Sequence, residues 1–210
     1  DSVPGAVACA RAVREEMQAA GCRVPVTALR HRPRLGAAAT DPAARAAIRA
    51  SLGVADGTLL VLAVGAFKPQ KDHARAVEVL AALAKRRDAV LVILGGILDT
   101  VGRSELGRVL DAAVRLGITD RLRLPGFVSP IEPWLAAGDA LLNVSRYEGL
   151  SIATQEALAA SLPVVATDVG GQGEIGHEAL ALLPARSDAE EFARRLAQLP
   201  LRRVLAGNPF

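Results

Sequence analysis

Four short runs of this chain are apolar at nearly every position instead of every second one: Thr58 to Val64, Ala89 to Leu94, Ala140 to Val144 and Leu162 to Thr167. A strand with one face in water alternates apolar and polar side chains, whereas a strand that is apolar throughout must be covered on both faces. Between the runs lie segments of helix length. Asp72 to Lys85 is amphipathic, Gly102 to Leu116 is stopped by Gly117, and Ile152 to Ala160 is rich in good helix formers. Strands that alternate with helices predict an α/β chain, a Rossmann-like parallel sheet with helices on both faces. The apolar fraction is 51% but aromatics are only 3%, so the core has to be built from Ala, Val, Leu and Ile, as such a sheet allows.

The flanking segments read as follows. Ala6 to Ala20 is expected to be a helix ended by Gly21, and Val24 to Leu29 a strand. Arg30 to Gly36 is basic, contains proline and lacks a period, the pattern of a solvated connection between domains. Asp41-Pro42 opens a helix to about Ser51, with Asp41 as N-cap, and Gly53 closes it. Arg121 to Val128 is a strand running into a turn, and Pro130 to Ala137 a short helix whose Trp134 is expected to be packed. After Gly171 come a short helical segment to His177, a strand at Ala179 to Leu183 and a helix from Asp188 to about Leu199 with Ser187 as cap.

Parallel sheets present ligands at the carboxyl ends of their strands. Two loops there carry chemistry. In Ser145 to Ala157, a strand end, a short loop and a helix start make an anion site, because unpaired first-turn amides and the helix dipole point outward. Ser151 or Gly149 can cap that helix, and Gly149 lets the backbone approach a ligand closely. Glu148 precedes the helix and Glu156 lies inside it, two carboxylates suited to hydroxyl recognition; a solvated loop residue and a surface helix residue are the plain alternative. In Gly65 to His73, a strand, a glycine, a loop and a helix place Lys68 and Lys71 at the same edge.

Glu148-Gly149-Leu150 with Glu156-Ala157, then Leu162 to Thr167 and Gly170-Gly171 with Glu174, is similar to the signature of family four of the retaining glycosyltransferases, of GT-B fold. The resemblance runs from about residue 53 to 195. It implies that residues 53–200 are the C-terminal nucleotide-sugar-binding domain, the C-terminal half of a GT-B fold. Residues 1–29 would be the tail of the N-terminal GT-B domain, 30–52 the interdomain connection and helix, and 201–210 an incomplete C-terminal segment. Asp1 at the start and Met17 as the only methionine read as a piece of a longer protein.

By the same resemblance, Lys71 and the amides at the start of the Ser151 helix hold the donor diphosphate, with Gly65, Gly149 and Leu150 shaping the loops. Glu156 binds the ribose, Glu148 binds the donor sugar, and the main chain of Phe127 and Val128 meets the base. Lys71 and Glu148 are the residues implied in catalysis. Ala66 stands where the family has an arginine, which removes one bidentate phosphate contact; Lys68 is the candidate substitute. Ser161 replaces the family's glycine at a position that favours positive φ. The activity implied is transfer of sugar from a nucleoside diphosphate to an unknown acceptor with retention, and the isolated piece is expected to bind donor without turnover. A non-catalytic binding domain, a sugar phosphorylase and an epimerase are the alternatives.

Other chemistries lack their residues. The sequence has no GxGxxG after Gly95, no P-loop, no GxSxG and no Asp-x-Asp, and its three histidines are scattered, so neither a cofactor nor a metal is expected. A net charge of +3 with so few aromatics argues against a nucleic-acid platform. Cys9 and Cys22 read as reduced thiols, and no run reaches the length of a spanning helix. The expected location is the cytoplasm, with peripheral contact at the inner membrane face, through the first GT-B domain, left open.

Overall fold

The computed structural model describes residues 5–29, 33 and 41–201. Its centre is a six-stranded, wholly parallel sheet. The strands are β3 (Leu59–Val64), β4 (Ala89–Leu94), β5 (Leu122–Gly126), β6 (Ala140–Asn143), β7 (Val164–Asp168) and β8 (Leu180–Pro184). They lie in the order β5-β4-β3-β6-β7-β8. The runs that are apolar throughout occupy the middle because both of their faces are covered. Leu59, Val61 and Ala63 point into one core layer, beneath α3 (His73–Ala84), α4 (Thr100–Arg115) and α7 (Ala189–Ala197). Leu60 and Leu62 point into the other, beneath α5 (Glu132–Ala137) and α6 (Ile152–Ala159). Trp134 packs against this second layer. The Rossmann-like expectation therefore holds.

From β3 the chain winds outward to β4 and β5, then returns to start β6 on the other side of β3. The β3 and β6 loops consequently diverge at their carboxyl ends, leaving a crevice between them. On the amino side, α2 (Pro42–Ser51) begins where Asp41 accepts a hydrogen bond from the Ala43 amide. The buried Asp139 ties this helix to the sheet. Its carboxylate takes Arg45 at 2.6 Å, Arg49 at 3.0 Å and the Leu60 amide at 2.8 Å.

Two expectations are corrected. Ala6 to Ala20 is not one helix: a strand, β1 (Ala6–Ala8), comes first, then α1 (Arg11–Ala19), and β1 pairs in parallel with β2 (Val26–Ala28). Pairing distant in sequence overrides local helix preference, with the Ala6 amide bonded to Pro25 O and the Leu29 amide to Ala8 O, both at 2.8 Å. Helix α7 is capped by Asp188, not Ser187, through a reciprocal pair with Glu191. Of the two caps open for α6, Ser151 is the one used. Apart from Pro33 and Leu201, the basic connection Arg30 to Gly36 and the segment 201–210 lie outside the described residues. Among those described, no helix is long and apolar enough to cross a membrane.

Candidate functional site

The β6 loop is built around one carboxylate oxygen. Glu148 Oε1 accepts from Lys71 Nζ at 2.7 Å, from Ser145 Oγ at 2.7 Å and from Asn143 Nδ2 at 3.4 Å. Asn143 lies at the end of β6, and its amide group also reaches Ser151 Oγ and Thr154 Oγ1, while its Oδ1 accepts from the Ser145 amide. Thr167 on β7 donates to Ser145 O at 2.6 Å. Buried polar groups must find partners, so this network dictates the loop's path. Ser151 caps α6 by accepting from the Thr154 amide, and Ile152 and Ala153 of the first turn line the crevice. Glu148 is thus buried in an ion pair, which rules out a solvated loop residue.

The β3 loop supplies the cation. Gly65 has φ 149°, and a side chain there would come within 2.9 Å of Lys71 Cε, so glycine is what lets the lysine cross the strand end. The carbonyl of Gly65 is fixed from two sides. His73 Nε2–H donates to it at 2.9 Å, and a Cβ on Gly95 would stand 1.9 Å from it. Burial lowers the His73 pKa, against the hydrogen bond to Gly65, which raises it; the ring is neutral at pH 7 and donates from Nε2. The two loops are joined further on. Arg146 N bonds to Gln70 O at 2.8 Å, Gln70 Nε2 to Tyr147 O at 3.0 Å and Arg146 Nε to Asp72 Oδ2 at 2.9 Å. The Asp72 carboxylate raises the pKa of Arg146.

Between the loops is an open cleft of about 350 Å³ lined by Val64, Gly65, Lys71, Glu148, Leu150, Ser151, Ile152, Ala153 and Glu156. Of the residues expected from sequence, Gly65, Lys71, Glu148, Leu150, Ser151 and Glu156 come together there. Four do not line it. Lys68 is exposed, Gly149 turns toward Cys9, Phe127 is 80% exposed on the β5 turn, and Val128 packs against the second core layer. Asn143, Ser145 and His73 were missed. A lone polar residue at the end of an apolar strand was the only signal for Asn143. Among the described residues, no group of three or more His, Cys, Asp or Glu could hold a metal ion.

Comparison with known proteins adds three findings. Residues 58–200 match the family model described as Glycosyl transferases group 1. The chain is 32% identical over 168 residues to a D-inositol 3-phosphate glycosyltransferase of Saccharomonospora viridis, covering 77% of this chain and 39% of that protein. It is 32% identical over 178 residues to the alpha-D-kanosaminyltransferase of Streptomyces kanamyceticus, covering 81% and 44%. It therefore spans about two fifths of the length of these curated relatives. Among solved structures, Anabaena HepE in complex with UDP and glucose superposes with a TM-score of 0.81, at 20% identity, over 93% of this chain and 53% of that one. At that identity the likeness is one of fold, and it falls on about half of that chain.

Proposed function

The chain belongs to the group 1 glycosyl transferases, and we propose that it is the donor-binding half of an enzyme that transfers sugar from a nucleoside diphosphate with retention. The observation that carries this is the Lys71–Glu148 pair, held across the β3–β6 crevice beside the first turn of α6. Cation and helix start together suit a diphosphate, and carboxylates suit sugar hydroxyls. Three donors occupy Glu148 Oε1, so Oε2 is the oxygen left to accept from the sugar. Glu156 takes the ribose. UDP in the HepE complex supports a nucleotide of this class, and the relatives' names support transfer.

In the reaction the bond from the anomeric carbon to the diphosphate breaks and its electrons stay on the phosphate oxygen. Lys71 and the α6 amides stabilise that charge as it grows. The acceptor hydroxyl oxygen bonds to the anomeric carbon from the same face and passes its proton to the departing phosphate oxygen, so neither carboxylate is a nucleophile. Residues 53–200 form the donor domain in this reading, and residues 1–29 the tail of the first domain, which supplies the acceptor site. Residues 30–52 connect the two.

Ala66 favours a second reading, a donor site that has kept its shape and lost affinity. Incubating a panel of UDP-, GDP- and ADP-sugars with this chain and with the full-length protein tests the division of labour. Transfer by the full-length protein alone is expected. Transfer by this chain alone contradicts it.

A further inference from the structure

The N-terminal unit β1–α1–β2 is fastened to the loop that carries Glu148. Ala10 offers α1 no side-chain cap. Instead the carboxylate of Glu174, just after β7, accepts from the Arg11 amide at 3.1 Å, the Ala12 amide at 2.8 Å and Arg11 Nε at 3.3 Å. Two glycines make room for the contact. A Cβ on Gly171 would lie 2.5 Å from Ala10 Cβ and 2.4 Å from Gly149 O, and a Cβ on Gly149 would lie 2.5 Å from Cys9 Sγ. Between the two glycines, the Gly171 amide donates to Gly149 O at 2.7 Å. Glu148 is the next residue.

The same region carries an opposing cost. Among the described residues, neither amide atom of the buried Gln172 side chain nor the buried Nε of Arg14 on α1 has a hydrogen-bond partner. Charge-assisted bonds hold the contact, and these desolvated polar atoms weigh against it.

We propose that Glu174 is a positioning residue that latches the N-terminal unit onto the Gly149 loop, so that the loop keeps its donor-binding geometry only while the latch is closed. This rests on the reading of the Glu148 loop as the donor site. The influence runs from Glu174 through the start of α1 to Cys9 and Ala10, then through Gly149 and Gly171 to Glu148.

The test compares this chain with its Glu174→Ala and Glu174→Gln variants by two readouts. One is amide hydrogen exchange at Gly171, whose N–H is bonded to Gly149 and not to Glu174, with Leu62 in the core as reference. The other is calorimetric affinity for UDP, GDP and ADP. In Glu174→Ala, Gly171 is expected to exchange on the order of tenfold faster while Leu62 changes far less. The best-bound nucleotide weakens by a similar factor, and Glu174→Gln recovers part of both. Unchanged exchange at Gly171, equal acceleration at Leu62, or an opened Gly171 with unchanged affinity each overturns the proposal. If the unaltered chain binds none of the three, the donor reading fails and the positioning role falls with it, while the two exchange rates still report whether the latch exists.

Discussion

Asn143 holds more of the site than any side chain that motif spacing singles out. Its amide spans Glu148, Ser151 and Thr154, so replacing it leaves those groups to find other partners. Asn143→Leu is expected to lower stability by about 1–3 kcal/mol in urea titration and to weaken nucleotide binding. Unaltered affinity would mean that the loop is shaped elsewhere. His73 gives a prediction in pH. Its folded pKa is lowered chiefly by burial, so below about 6.5 the unfolded chain binds more protons than the folded one. This part of the stability is complete above that pH and is lost as pH falls toward the depressed folded value. The urea midpoint should drop between pH 7 and pH 5, and less so in His73→Gln; equal slopes in the two proteins would contradict the assignment. Asp88, lowered by Thr58 and then by Arg121, acts in a separate window below about pH 4.

At the scale of elements, the doubly buried strands were legible because a run that is apolar at every position fits few environments other than the middle of a parallel sheet. The first strand was not, since two of its three residues, Ala6 and Ala8, are good helix formers and it is pairing with Val26 to Ala28 that makes them extended. Lys71 and Glu148, which motif spacing singles out, do meet across the crevice as an ion pair. The site was illegible where the work is positional, as at Asn143, whose partners are set by the crossing of strand and helix. Family pattern also placed one backbone conformation correctly. Ser161 has φ 56°, the left-handed region where glycine was expected, so Ser161→Gly should raise stability by roughly 1 kcal/mol. A lower midpoint would mean that its side chain contributes more than the strain costs. For α2, Asp139→Ala leaves two arginines short of a partner in the interior and should cost about 3–5 kcal/mol, read from the same titration.

At the scale of the whole molecule, strand order does the decisive work. Because β6 returns beside β3, two loops far apart in sequence meet over one crevice, and each brings one half of an ion pair. Beside it, the β7 loop and Gly149 meet the N-terminal unit β1–α1–β2. The proposed function requires that this crevice bind a nucleoside diphosphate. The most direct measurement is calorimetric titration of the chain with UDP, GDP and ADP, repeated on Lys71→Ala and Glu156→Ala, with the folded state of each variant checked by its urea midpoint. The account predicts that one nucleotide binds and that both substitutions weaken it at least several-fold while the proteins stay folded. Binding that survives both substitutions unchanged, or no binding of any nucleotide by this chain or by the full-length protein, would contradict it.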